Sequence, residues 1–244
     1  MGQNLINCLY SHFKNSPQKL KIVCDWDEVI QPHEPYALWR AKNERSKKGK
    51  NANFLIPFTE FFKEFWEKDL EIVYFPYGSK IKEDVSLSDY QQAIKNSPNF
   101  YQEAPFLTIA KELLMLIREG KVEKLIFLSA YDKRKFPQGD SRKKQIFGET
   151  FGHFPVCKLE LVGFNNEKQG VSKADWVKEN ASEFELVIDD NPTILKSILK
   201  NNPRLTACAP YYPSVKNKQA ERVLLVKTSI SDLKKEDIKL QRNF

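Results

Sequence analysis

Asp25 and Asp27 stand one residue apart where the apolar run KIVCD ends. Two carboxylates held that close repel, and each resists ionising unless something positive lies between them. A bound cation meets that need. Further polar groups occupy comparable places along the chain. Ser129 closes LIFLSA, Lys173 opens KADWVKEN, and Asp189 and Asp190 end ELVIDD ahead of Asn191 and Pro192. Each feature is common on its own. Their order along the chain is what makes the set specific.

The chemistry these groups could run is phosphoryl transfer. A carboxylate can attack phosphorus and form an aspartyl-phosphate. The leaving oxygen then needs a proton, and a water must later be activated. A second carboxylate two residues on can serve first as acid and then as base. Asp25 and Asp27 at one strand end, joined by Asp189 and Asp190 at another, make an all-oxygen set suited to Mg²⁺. That ion binds through few carboxylates and keeps waters that a substrate phosphate can replace. It would relieve the repulsion and shield the phosphate from an anionic nucleophile. The Ser129 hydroxyl and the Lys173 ammonium would hold the remaining phosphate oxygens.

These residues need a scaffold, and the apolar pattern predicts one. Short β-branched runs read as buried strands over 21–25, 124–130, 158–163, 185–190, 205–210 and 223–227. Between them lie stretches of helical spacing. Leu107, Ala110, Leu113, Leu114 and Ile117 follow the i, i+3, i+4 rhythm, with Gly120 placed to end that helix. Ser172 can cap the helix that Lys173 opens, and Pro192 suits the first turn of PTILKSILK. Alternating strands and helices predict an α/β fold: a Rossmann-like parallel sheet with helices on both faces. A core over 18–35 and 105–244 is expected. Residues 36–104 break the rhythm and read as an inserted, mainly helical cap. Within it Phe58, Phe61, Phe62, Phe65 and Trp66 share one helix face and read as packing. An insert just after Asp27 would overhang the carboxyl end of the first strand, where open α/β sheets bind ligands.

Composition bounds the partners. With 244 residues and 41% hydrophobic content, the chain can build a good-sized core, and 17 Phe, 9 Tyr and 4 Trp support one. No apolar run approaches the ~20 residues that span a bilayer, so no membrane partner is expected. The opening MGQNLI lacks a long apolar stretch and has Ile6 where myristoylation wants Ser or Thr, which argues against a secretory signal and against lipidation. Cys8, Cys24, Cys157 and Cys208 are scattered, as expected of buried reduced thiols in a cytosol-like compartment. The net charge of +7 permits an anionic partner. Basic residues cluster at 40–50, 132–137 and 141–144 and read as solvated faces. Only Trp39 and Phe136 lie near them, so a nucleic-acid partner has little beyond the charge in its favour. Nothing in the sequence speaks to oligomeric state. No phosphate-binding Gly-rich loop is present, and His12, His33 and His153 form no zinc motif. Glu28 and His33 flank the aspartate pair closely enough to touch a substrate.

With these residues in view, the chain resembles the haloacid dehalogenase (HAD) superfamily of phosphohydrolases. KIVCDWDEV is similar to that family's first motif, a strand followed by DxDx[T/V], with Val29 in the last place. Ser129 takes the place of the second motif, Lys173 most simply the third, and Asp189 with Asp190 the fourth. Lys168, in the loop NNEKQG, competes for the lysine role. Lys173 is preferred because it begins a helix one strand before the acidic pair. The resemblance covers residues 20–35 and 105–210 and leaves out the insert, which sits where family members carry a cap.

The resemblance implies that Asp25 is the nucleophile and Asp27 the acid/base. It implies Mg²⁺ held by Asp25, by the backbone carbonyl of Asp27 and by one or both of Asp189 and Asp190. It implies a phosphorylated substrate, expected to be a metabolite selected by the cap. A phosphatase acting on a phosphoprotein or a nucleic-acid end and a non-catalytic HAD-like binding protein are the competing readings. DWDE and VIDDNP also resemble protein phosphatases that act on phosphoserine tails, though Asp190 replaces their Asn and Val29 their Thr. Trp26, between the two aspartates, is bulky enough to lie under the site or against the insert.

Overall fold

The computed structural model describes residues 4–13, 19–48, 57–67, 93–131, 137–163, 171–210 and 223–239. Side chains of 42–48 and 63–67 are outside this description, so Phe65 and Trp66 are too. So are Lys168, residues 68–92 of the expected insert and residues 132–136 of the second basic run.

Among the described residues six strands form one sheet: β1 (Leu20–Cys24), β2 (Val122–Tyr131), β3 (Cys157–Gly163), β4 (Leu186–Ile188), β5 (Thr206–Pro210) and β6 (Val223–Val226). Their order is β3-β2-β1-β4-β5-β6, and every pair is parallel. The expected α/β parallel sheet is present, with all six strand predictions recovered to within two residues at each end. The exception in kind is β4, which stops at Ile188 and leaves Asp189 and Asp190 beyond the ladder rather than within it.

Alternation along the strands sorts side chains to two faces. Ile22, Cys24, Leu125 and Phe127 join one apolar cluster with Leu5, Ile109, Leu113 and Ile146. Val23, Ile126 and Leu128 join the other with Val177, Leu195 and Ile198. Helices Leu5–His12, Thr108–Arg118 and Gly139–Glu149 therefore cover one face, and Lys173–Asn180 and Pro192–Asn201 the other. Both faces are covered, which explains the near-continuous apolar strands. Described residues of the 36–104 segment, among them Tyr36, Leu38, Phe61, Phe100 and Tyr101, pack into the first cluster. The four cysteines are free and buried, as their scatter predicts. Among the described residues no helix is long and apolar enough to cross a membrane.

The predicted helix signals operate locally. The Asn191 side chain accepts from the Thr193 and Ile194 amides, at 3.0 and 3.3 Å, and Pro192 follows at the first turn. Ser172 Oγ accepts from the Asp175 amide at 3.2 Å. Gly120 ends its helix with φ +66°, a left-handed conformation that a Cβ disfavours, and its amide donates to Ile117 at 3.0 Å. No atom lies within 4 Å of a Cβ built there, so the cost of a side chain is conformational. Gly120→Ala is expected to destabilise the fold by about 1 kcal/mol, read as a lower midpoint in urea with an unchanged slope.

Candidate active site

Register brings the site together. Cys24 pairs with Phe127 on one side and with Ile188 on the other. Asp25 is thus one residue past β1, Asp189 one residue past β4, and Ser129 two residues beyond the Phe127 pairing on β2. All three lie at the carboxyl ends of the three central strands. The strand order reverses between β1 and β4, and such a switch point opens a crevice at that edge.

Asp25 is held on every side. Its amide donates to the Ile188 carbonyl at 2.8 Å, and its Oδ1 accepts from the Trp26 amide at 2.6 Å. Its Oδ2 forms an ion pair with Lys173. The same ammonium donates to Asp189 Oδ2 at 3.0 Å, and Asp189 Oδ1 accepts from the Asn191 amide at 2.8 Å. Lys173, at the first turn of its helix, therefore bridges two strand ends. Asp25, Lys173 and Asp189 are all buried.

Oxygens from Asp25, Asp189 and Asp190 lie within 4.8 Å of one another. A donor set of carboxylate oxygens at that spacing fits a hard divalent cation such as Mg²⁺. The electrostatics agree. Burial pushes the Asp25 carboxyl up to about 7, with Asp189 and Asp27 adding to it and Lys173 opposing. Burial, then Asp189, Asp25 and Glu28, raise Asp190 well above the ordinary carboxylate range. Burial works against the charge on Lys173, but Asp189 and Asp25 overcome it and hold that group protonated. The cluster is short of positive charge, as a cation site should be.

Asp27 faces a different set of partners. Its Oδ1 lies 2.6 Å from His33 Nδ1 and its Oδ2 accepts from Lys143 Nζ at 2.6 Å. Burial opposes its ionisation, but Lys143 and His33 prevail and hold Asp27 below the usual carboxylate range. Lys143 Nζ also donates to Ser129 Oγ at 2.5 Å and to the Ala130 carbonyl at 3.3 Å. Lys143 belongs to SRKK, which reads as a solvated run, yet only 2% of its side chain is exposed. The available signal is helical spacing. Gly139, Lys143, Ile146 and Thr150 recur at i, i+4, i+7 and i+11 and are all buried.

A small network fixes the backbone around the pair. Gln31 Nε2 donates to the Tyr101 and Ala104 carbonyls at 3.1 and 2.8 Å, which sets the amide's orientation. Its Oε1 then accepts from Trp26 Nε1 at 3.0 Å and lies 3.1 Å from His33 Nε2. Glu28, in between, adopts φ +61°. Such a conformation is strained for a residue with a Cβ, and strain of this kind clusters at functional sites. Glu28 Oε1 accepts from the Glu34 amide at 2.7 Å and so serves the start of the following helix.

Trp26 lies under the site. Its ring meets Phe127, Phe147 and Phe151 edge-on, with centroids 5.2, 6.5 and 6.2 Å away, and it is fully buried. Through Gln31 it is also tied to Tyr101 and Ala104, at the end of the segment read as an insert. Trp26→Ala is expected to cost about 3–5 kcal/mol of stability by opening a cavity, measured by chemical denaturation.

Of the residues named from sequence, Asp25, Lys173, Asp189 and Asp190 fall in one cluster, and Asp27 and Ser129 meet at Lys143. His33 touches Asp27. Lys168 is outside the described residues. Comparison with known proteins found no matching family model and no matching curated protein. Among solved structures, the chain is similar to a "predicted phosphatase" from Clostridium acetobutylicum, at 15% identity and TM-score 0.44, over 86% of this chain and 94% of that one. It is similar to a HAD family hydrolase with bound phosphate and sodium from Deinococcus radiodurans R1, at 13% identity and TM-score 0.48, over 86% and 92%. A haloacid dehalogenase-like family protein from Streptococcus pneumoniae gives 14% identity and TM-score 0.43, over 86% and 94%. At those values the likenesses carry no weight for activity. The parallel sheet places DxD after β1, Ser129 near the end of β2, Lys173 at the start of a helix and the acidic pair after β4.

Proposed function

We propose that this chain is a Mg²⁺-dependent phosphohydrolase that acts on a phosphorylated metabolite through an aspartyl-phosphate. The observation that carries the proposal is the convergence of Asp25, Asp189 and Asp190 within 4.8 Å, with Lys173 bridging two of them. Asp25, Asp189 or Asp190 or both, and the Asp27 carbonyl would hold the ion. When bound, the ion supplies charge neutralisation for the carboxylates and the phosphate.

In the first step an Asp25 oxygen attacks phosphorus, and the bond from phosphorus to the ester oxygen breaks. That oxygen leaves with a proton from Asp27, which must first have taken one up against the pull of Lys143 and His33. In the second step a water attacks the phosphoryl group on Asp25, Asp27 takes the water's proton, and the Asp25 carboxylate is released with inorganic phosphate. Lys173 orients Asp25, and Ser129 holds a phosphate oxygen. While Lys143 and His33 sit on Asp27 they favour its ionised form, which suits the second step. Segment 36–104, which begins a short stretch after Asp27, is suited to cap the site and select the substrate.

The test is hydrolysis of p-nitrophenyl phosphate and of a panel of phosphorylated metabolites, with Mg²⁺ and with EDTA. Turnover that needs Mg²⁺ supports the proposal. A folded protein that binds Mg²⁺ and hydrolyses no member of the panel refutes it. Lys173→Ala is expected to lower turnover by about a hundredfold, because Asp25 and Asp189 lose the cation they share. Steady-state kinetics at saturating Mg²⁺ would show it.

A further inference from the structure

We propose that Lys143 is a second phosphate-binding cation of this site, turning from Asp27 and Ser129 onto the substrate's phosphate. The inference rests on the phosphohydrolase reading and adds to it a residue that the sequence motifs do not contain.

The first observation is where the ammonium sits. Its three acceptors are Asp27 Oδ2 at 2.6 Å, Ser129 Oγ at 2.5 Å and the Ala130 carbonyl at 3.3 Å. A phosphate held by the Ser129 hydroxyl must come within reach of a cation already bonded to that hydroxyl. The second observation is its burial. A buried ion pair is poor evidence for stability, since apolar residues of similar volume often serve as well or better. A lysine on the buried face of Gly139–Glu149, beside Ile146, thus calls for a reason other than packing.

The third observation is the charge balance. Asp25, Asp189 and Asp190 offer three negative charges against the one positive charge of Lys173. A divalent ion offsets these four groups, Glu28 near Asp190 adds a further negative charge, and Asp27 and Lys143 cancel on the other side. While Lys143 remains on Asp27, these described groups offer a phosphate dianion no uncompensated positive charge. The four-carbon lysine stem can redirect its charge without moving the helix. The helix itself is anchored next door, where Arg142 Nη1 donates to the Asn96 and Ser97 carbonyls at 2.6 and 2.8 Å. The same turn of the side chain frees Asp27 Oδ2 for the leaving group.

The experiment is calorimetric titration of inorganic phosphate into the Mg²⁺-loaded full chain, for wild type, Lys143→Met and Lys143→Arg, with thermal unfolding of each as a check on folding. The Met variant is expected to bind phosphate at least about tenfold more weakly, the loss of one charge-assisted contact. The Arg variant should recover most of the affinity. Isotope-labelled lysine in the wild type gives a second readout, a shift of the Lys143 ammonium signal when phosphate is added. Binding by a folded Met variant within twofold of wild type overturns the proposal. So does an ammonium signal that phosphate leaves unmoved, or a wild type that binds no phosphate. Phosphate binding needs no turnover. An inactive wild type whose phosphate binding depends on Lys143 would sink the hydrolase reading and keep this one. An active enzyme indifferent to Lys143→Met would do the reverse.

Discussion

Asp25→Asn is expected to reduce phosphomonoester hydrolysis on the order of 10⁴-fold or more, the scale seen when a covalent nucleophile is removed. The amide keeps the shape of the side chain but cannot attack phosphorus as a carboxylate does. The fold should tolerate it. Burial already pushes this carboxyl up to about 7, so a neutral group there costs little. Lys173 keeps Asp189 as a partner at 3.0 Å. The kcat for p-nitrophenyl phosphate at saturating Mg²⁺, together with the urea midpoint of each protein, separates lost chemistry from lost structure. Residual activity above a few per cent in a folded variant would mean that Asp25 is not the nucleophile.

Removal of the metal should have the second large effect. Chelation is expected to lower turnover at least about a hundredfold, because the ion supplies several kcal/mol of charge stabilisation. It should also lower the melting temperature. A ligand that binds only the folded state at a hundredfold excess over its Kd stabilises by about 2.7 kcal/mol. The metal-free protein should moreover lose stability as pH rises. Asp25 and Asp190 have raised pKa values in the folded state, Asp25 from 3.8 to about 7. A raised carboxyl binds its proton longer in the folded state than in the unfolded one. Its contribution is therefore full below the unfolded value and is lost as pH climbs through the folded one. For Asp25 that window runs from 3.8 to about 7. Asp190→Asn removes one of these charges. It is expected to flatten the decline in the metal-free protein and to shrink the Mg²⁺-induced rise in melting temperature. Scanning calorimetry across that pH range, with and without Mg²⁺, measures both.

Particular residues show how much of this was legible in the sequence. The aspartates, Ser129 and Lys173 stand at strand ends or a helix start, and apolar runs mark such places well. β-branched runs gave all six strands because a sheet covered on both faces needs continuous apolar strands. Lys143 was hidden because local composition favours solvation. A basic run such as SRKK is usually exposed, and only the sheet shows that one of its members points inward. The spacing from Gly139 to Thr150 was a usable signal, but four residues that include a Gly, a Lys and a Thr make a weak apolar stripe. Trp26 could have lain under the site or against the insert. The aromatic residues that settle it, Phe127, Phe147 and Phe151, come from more than a hundred residues away. Gln31 gave no signal at all, since its role depends on carbonyls at Tyr101 and Ala104 that only folding brings near.

The central claim is that phosphorus passes through Asp25. The most direct measurement is acid quench of the Mg²⁺-loaded enzyme during turnover, followed by proteolysis and mass spectrometry of the peptide that contains KIVCDWDEV. The account predicts one phosphoryl group, placed by fragmentation on Asp25, labile at neutral pH as an acyl phosphate is, and missing from Asp25→Asn. A wild type that turns over rapidly with an unmodified Asp25 peptide at every quench time, or one that carries the phosphoryl group elsewhere, would contradict it.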